Sequence, residues 1–453
     1  MPYRMTRREF LAAAAMAPLA GAAGARIEPR TPNFVFILTD DHRWDAMSCA
    51  GHPIVFTPNI DRIAREGARF ANAFVTTSLC SPSRATLLTG RYAHSHGVKD
   101  NATHLDPSVP TFPQVLQKAG YETALVGKWH MDMQPGPQPG FDRWISFAGQ
   151  GVYYNPVINI DGRTCEVAGY ITDLLTSYAI DWLRRPRTSP FCLYLSHKAL
   201  HADFRPAVRH SKLYSDAPIV PPASILDTLE GKPAYLGSIK RVSPEADDYP
   251  EFVERVRNYY RTLAAVDESV GRVLTELERM GTLDETVVIF AGDNGFLLGE
   301  HGLGDKRAMY EESIRIPLLI RYPALVRPGR VISEMALNLD VCPTILDLAG
   351  APAPDGVQGR SLRPLLRGRR GGWRSDFLYE YYWEAEAKKR PSIKGVRTSR
   401  WKYVTYPDSD NVSELYDLES DPREMRNLVS DPRAEGTLRT LQSRLDELTR
   451  AAR

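Results

Sequence analysis

Asp40 and Asp41 stand side by side at the end of an apolar run, and Asp293-Asn294 stand in the same relation to a second run far along the chain. Oxygen side chains delivered in two pairs are suited to a hard cation. Crowded carboxylates repel one another unless a cation or a proton intervenes. All-oxygen ligation favours Ca2+ or Mg2+ over zinc, and calcium tolerates an irregular, carboxylate-rich shell better than magnesium does. Each pair also has an ordinary reading, since Asp-Asp after a strand is often a turn or a helix cap and Asp-Asn-Gly is a good turn sequence. The case for a metal rests on the two pairs together with what lies between them.

Between them lies Ser78-Leu79-Cys80-Ser81-Pro82-Ser83-Arg84. Pro82 fits the first turn of a helix, where its missing N–H costs nothing. Cys80 then sits at the helix N-terminus, near free N–H donors and the positive end of the dipole. Arg84 lies one turn further on, on the same side. This setting predicts a lowered thiol pKa. A soft thiolate is nevertheless a poor partner for a hard, oxygen-ligated cation. Oxidation of the Cys80 side chain to an aldehyde removes the mismatch, because the hydrated aldehyde carries two hydroxyls. One can be deprotonated at the metal and attack; the other can later expel the bound group by reforming the aldehyde.

The elements that must hold these residues are legible as hydrophobic patterns. Residues 33–38, 122–126, 191–195, 286–291 and 316–321 read as buried strands. Residues 60–67, 82–88, 111–119, 170–183 and 253–280 read as helices. The alternation predicts parallel βαβ units and an α/β sheet covered on both faces. In such sheets ligands sit beyond the carboxyl ends of the strands, where both acid pairs fall. After about residue 360 the pattern changes to short strands at 377–383, 393–398, 401–406 and 414–418, which fit a small antiparallel sheet. A final helix carries Leu438, Leu441, Leu445 and Leu448 as a packing stripe. The expected organisation is a catalytic domain over 30–360, a surface linker at 367–373 and a C-terminal subdomain over 361–453.

Composition excludes several classes. With 43% hydrophobic and 25% charged residues the chain is globular. A net charge of +2 leaves no electrostatic footprint for nucleic acid. The five cysteines show no zinc spacing and are too sparse for a disulfide scaffold. Residues 1–25 read as a twin-arginine signal: Arg7-Arg8 precede an apolar run over 11–23, then Ala23-Gly24-Ala25. The run is shorter than the ~20 residues of a membrane span. These features predict a periplasmic or secreted protein without stable membrane insertion. Twin-arginine export carries folded proteins, which suits a chain that gains a modification or a metal before leaving the cytoplasm.

Cys80-Ser81-Pro82-Ser83-Arg84 resembles the Cys-x-Pro-x-Arg signature of the formylglycine-dependent sulfatases of the Cys type. Gly90-Arg91-Tyr92, Gly127-Lys128-Trp129-His130 and Glu414-Leu415-Tyr416-Asp417-Leu418 are similar to further blocks of that family, so the resemblance covers nearly the whole mature chain. It implies an alkaline-phosphatase-like α/β sandwich around a large, mostly parallel sheet, with a small C-terminal antiparallel sheet plus helix. It also implies one Ca2+ and a Cys80 oxidised to formylglycine by a formylglycine-generating or sulfatase-maturating enzyme. By similarity Asp40, Asp41, Asp293, Asn294 and the modified Cys80 ligate the metal. Arg84 would hold the hydrate, Lys128 and Lys306 would grip the sulfate oxygens, and His130 would be the base that collapses the intermediate. His201 would be the general acid toward the leaving alcohol, a task suited to a pKa near neutrality. Leu200-His201-Ala202-Asp203 departs from the family's usual Pro-His-x-Pro, and His197 is a competitor for the role. His94, His96 and His301 read as structural or loop residues.

The expected activity is hydrolysis of sulfate monoesters, with the bound sulfate expelled by elimination. Residues 299–307 and 309–313 resemble the glycan sulfatases, including N-acetylglucosamine-6-sulfatases, which implies a sulfated sugar. Tyr153, Tyr154, Tyr381, Tyr382 and Trp383 are candidate sugar-stacking faces, although buried aromatics are the commoner reading. Two rivals stay open: a phosphonate or phosphate diester hydrolase with the same nucleophile, and a catalytically silent binding protein of this fold.

Overall fold

Strands Asn33–Thr39, Phe191–Ser196 and Thr286–Gly292 are buried along nearly their whole lengths, which explains their continuous apolar runs. They are the centre of a ten-stranded sheet. The computed structural model describes residues 31–131, 136–239 and 241–452; the twin-arginine segment at 1–25 lies outside the described residues. Pro32–Arg453 form one compact unit.

From one edge the sheet runs Arg330–Ile332, Ala68–Phe70, Leu318–Arg321, Thr286–Gly292, Asn33–Thr39, Phe191–Ser196, Glu122–Gly127, Arg143–Ser146, Val157–Ile160 and Arg163–Glu166. Thr286–Gly292 through Arg143–Ser146 are parallel. Leu318–Arg321 pairs antiparallel with Thr286–Gly292, and the hairpin Val157–Ile160 and Arg163–Glu166 is antiparallel at the far edge. The strand expected at 316–321 is therefore present but runs against its neighbour. Alternation along the central strand splits the core. Phe34, Phe36 and Leu38 face the helices Cys80–Thr89, Phe112–Lys118 and Val341–Ala349. Val35 and Ile37 face Pro58–Glu66, Ile171–Leu183 and the long helix Tyr249–Arg279.

The C-terminal strands Asp376–Tyr381, Ile393–Thr398, Trp401–Thr405 and Glu414–Asp417 form a separate antiparallel sheet in that order. It shares a core with one face of the large sheet, where Phe377 packs on Phe74 at 5.1 Å. Helix Glu435–Ala451 buries Leu441 and Leu445 there, with Leu438 and Leu448 half-buried beside them.

Register brings the functional segments together. Thr39 lies level with Gly292, Leu38 with Ser196 and Gly127 with Ser196. The residues that follow all leave the sheet at the same edge: Asp40, Lys128, His197 and Asp293. Gly127 makes the approach possible. Its φ is +123°, and a Cβ there would lie 1.8 Å from the Ser196 carbonyl oxygen, which accepts the Lys128 N–H at 2.7 Å. Gly127→Ala is expected to cost about 2–4 kcal/mol by combining a forbidden backbone with overpacking. Urea denaturation checks this, and an unchanged midpoint contradicts it.

Candidate active site

Asp41 follows Asp40 in the left-handed region, with φ 51°, a conformation aspartate adopts more readily than most residues. The turn lets the Asp41 N–H donate to Asp293 Oδ1 at 3.0 Å. The carboxylates of Asp40, Asp41 and Asp293 offer oxygens within 4.8 Å of one another. Cations surround them. Arg84 donates from Nε to Asp293 at 2.9 Å and from Nη2 to Asp40 at 2.8 Å. Lys128 Nζ pairs with Asp40, and Lys306 Nζ pairs with Asp41. Asn294 donates its amide N–H to Asp41 Oδ1 at 2.6 Å, while its own Oδ1 is buried without a hydrogen-bond partner. Three converging carboxylates and an orphaned amide oxygen fit a divalent cation with oxygen ligands.

The electrostatics divide the acids. Burial pushes Asp40 up, but the charges of Lys128 and Arg84 outweigh it and hold the group well below the usual carboxylate range. Burial raises Asp41 more than Lys306 lowers it. Burial, then the Asp40 charge, pushes Asp293 up to about 7. Further positive charge in the cluster would favour the ionised forms of both raised acids.

Cys80 opens the helix Cys80–Thr89 and is fully buried. Its Sγ lies 3.0 Å from Lys306 Nζ and 3.6 Å from Asp40 Oδ1. The expected lowering of the thiol pKa is corrected here. Burial, then the Asp40 charge, pushes it up to about 12, against the pull of Lys306 and Lys128. Arg84 makes no hydrogen bond to the sulfur; its guanidinium donates to Asp293, Asp40, the Lys128 carbonyl at 2.9 Å and Ser196 Oγ at 2.8 Å. A neutral thiol in this position is neither a good nucleophile nor a good ligand for a hard cation.

His130 and His201 both face this cluster. His130 has φ 57° and is anchored by Ser81, whose Oγ donates to its carbonyl. Burial, then the charge of Lys128, pushes the His130 pKa down. His201 Nδ1 lies 2.6 Å from the Ala202 carbonyl oxygen, so that nitrogen carries a proton. Its Nε2 is left 4.0 Å from Asp41 Oδ2. Burial and the charges of Lys128 and Lys306 lower the His201 pKa to about 2. Tyr153 steadies the loop by donating to the His201 carbonyl at 2.7 Å. His197 is elsewhere, buried with Nε2 3.1 Å from Ser269 Oγ. His94 is held by Glu380, His96 by Thr86 and His301 by Asp227.

Sequence reasoning missed several neighbours. Lys198 is buried behind His201, 3.4 Å from the Ala202 carbonyl and over the Tyr153 ring at 4.7 Å. Burial, then the Lys128 charge, lowers it to about 8. Gln150 accepts from Lys128 Nζ, and Asn101 Oδ1 accepts from the Ser81 N–H at 3.1 Å. Only the place of Lys198, three residues before His201, carried any signal. Of the proposed stacking aromatics, Tyr153 and Tyr381 are buried. The cluster opens through a hollow of about 340 Å3 lined by Asp41, Gln150, His201, Lys306 and Arg307.

The comparisons with known proteins agree with this geometry. Residues 32–351 match the sulfatase family, and residues 299–451 match the C-terminal region of N-sulphoglucosamine sulphohydrolase. The chain belongs to the sulfatase family and has its alkaline-phosphatase-like fold, which makes it a sulfuric ester hydrolase. An N-acetylglucosamine-6-O-sulfatase of Bacteroides thetaiotaomicron is 37% identical over 88% of this chain and 83% of its own length. The Homo sapiens N-acetylglucosamine-6-sulfatase is 28% identical over 92% of this chain and 85% of its own. A solved structure in complex with its substrate D-glucosamine-2-N,6-O-disulfate aligns with a TM-score of 0.88 at 34% identity, covering 93% of this chain and 98% of that one. The phosphonate monoester hydrolase of Agrobacterium radiobacter shares the fold, with a TM-score of 0.80 at 24% identity over 93% of this chain and 96% of that one.

The orphaned amide oxygen gives a direct test. A divalent cation added to chelator-treated protein is expected to stabilise it by about 2.7 kcal/mol at a hundredfold excess over Kd. Asn294→Leu is expected to reduce the accompanying rise in Tm by more than half. An undiminished rise in the variant contradicts a ligand role for Asn294.

Proposed function

We propose that the protein removes sulfate from a glucosamine-type sugar of a sulfated glycan, using Cys80 in an oxidised form together with one Ca2+. The observation that carries the reading is the place of Cys80 Sγ, between Lys306 and Asp40 beside three converging carboxylates. The substrates named for the similar sulfatases support the sugar. Asp40, Asp41, Asp293, Asn294 and the Cys80 side chain would hold the metal. Bound there, Ca2+ would act as a Lewis acid. A hydrated aldehyde at Cys80 would offer one hydroxyl for attack on sulfur and a second whose loss of a proton releases the sulfate.

The remaining steps belong to the surrounding side chains. Lys128 and Lys306 offset the charge on the sulfate oxygens, most strongly where it grows in the transition state. Arg84 holds Asp40 and Asp293 in place, since its guanidinium is already engaged with them, and we assign it to the carboxylates rather than to the hydrate. His130 takes the proton of the second hydroxyl. His201 points Nε2 toward the cluster and gives the leaving alcohol its proton. Burial, with the charges of Lys128 and Lys306, holds the pKa of His201 low, and an anionic ester between the two lysines raises it toward a working value.

The wider setting follows from the same reading. Residues 1–25 are a twin-arginine signal, 30–360 the catalytic domain and 361–453 the C-terminal subdomain. The protein acts in the periplasm or outside the cell after a formylglycine-generating or sulfatase-maturating enzyme has converted Cys80. No helix among the described residues is long and apolar enough to cross a membrane.

Sulfate monoesters are expected to be turned over faster than phosphate diesters or phosphonate monoesters in a side-by-side panel. Cys80→Ser keeps one hydroxyl, so it is expected to release alcohol once and hold the sulfate. A higher rate on the phosphorus esters, or repeated turnover by Cys80→Ser, would sink the reading.

A further inference from the structure

We infer that Arg255 and the hollow it borders form a subsite for a second anionic group of the substrate, beside the sulfate that is cleaved. The inference rests on the sulfate-ester reading above and extends it to specificity. The mouth of the active site continues into a second hollow of about 500 Å3, and Arg255, Phe296, Gly304 and Asp305 line both. Phe204, Phe252 and Phe296 give the second hollow an apolar side, the kind of surface on which a sugar ring packs.

Arg255 is the cationic group at the junction. It projects from the long helix Tyr249–Arg279, and its guanidinium lies over the Phe204 ring at 5.3 Å. It has no hydrogen bond or ion pair with any described residue, whereas Arg257 and Arg261 on the same helix both pair with Glu254. Asp248 and Glu251 also line the second hollow, and Glu251 forms no ion pair with Arg255 although it stands one turn earlier. Asp305, in the wall common to both hollows, is already held by Arg307 at 3.1 Å and Arg390 at 2.9 Å. Arg255 is exposed to solvent, and a guanidinium that lies over an aromatic face with no protein acceptor is available to pair with a planar or tetrahedral oxyanion. Beside a centre that takes a sulfated sugar, that oxyanion is a second sulfate on the same sugar or an acidic group on the next one.

The test compares wild type and Arg255→Gln on three substrates. One is N-acetylglucosamine 6-sulfate, one is D-glucosamine-2-N,6-O-disulfate, and one is N-acetylglucosamine 6-sulfate joined to a uronic acid. The preference in kcat/KM for a two-anion substrate over the one-anion substrate is expected to fall about tenfold in the variant, as loss of a charge-assisted hydrogen bond predicts. Most of the change is expected in KM, because the contact is remote from the reacting sulfur. Which two-anion substrate responds identifies the source of the second charge. An unchanged preference for both overturns the subsite and leaves the sulfatase reading standing. A wild-type protein, mature at Cys80, that releases no sulfate from any of the three overturns both.

Discussion

Three carboxylates and three cationic side chains are buried together at one edge of the sheet, and the site depends on their mutual neutralisation. Asp40, Asp41, Asp293, Arg84, Lys128 and Lys306 are almost wholly shielded from water. A buried charge without a partner costs several kcal/mol, so loss of Asp40 would strand Lys128, and loss of either Asp41 or Lys306 would strand the other. The formal charges balance as they stand. A divalent cation would leave two positive charges in excess at the base of the mouth, where an anionic ester would enter. A sulfate monoester, with one negative charge, would offset half of that excess, and the negative charge that grows on the reacting oxygens would meet cations already in position.

The sheet provides this arrangement through register and a few sharp turns. Asp40, Lys128 and Asp293 each follow a strand directly, and the parallel register brings those strand ends level. Asp41 and His130 adopt positive φ without being glycine, a cost accepted where the surroundings fix the geometry. The helix Cys80–Thr89 enters against these ends with its N-terminus and carries Cys80 and Arg84 on neighbouring turns. The segment after Asp293 folds back so that Lys306 closes over Cys80.

Much of this was legible in sequence because the signals were local. The central strands are continuous apolar runs, the acid pairs follow two of them, and Cys80-Ser81-Pro82-Ser83-Arg84 is a compact motif. The outer strands were not legible: Ala68–Phe70 and the edge strand Arg330–Ile332 are three residues long, and Arg163–Glu166 at the other edge is exposed on every residue. The thiol was misjudged for a reason that sequence does not display. Helix position and a nearby arginine argue for a thiolate, but burial and the adjacent Asp40 carboxylate outweigh both. Gln150, Asn101 and Arg255 were not legible because their relation to the site is purely spatial, and Lys198 offered only its place three residues before His201.

The neutral, buried thiol gives the chemistry its sharpest demand, since burial and the Asp40 carboxylate outweigh the pull of Lys306 and Lys128 toward a thiolate. On this reading Cys80 is converted to an aldehyde before the protein works. The mass of the Cys80 peptide, from protein matured in its own cells and shown to release sulfate, tests it most directly. An aldehyde or its hydrate is expected in place of the thiol. An unmodified cysteine in protein that turns over sulfate esters would contradict it.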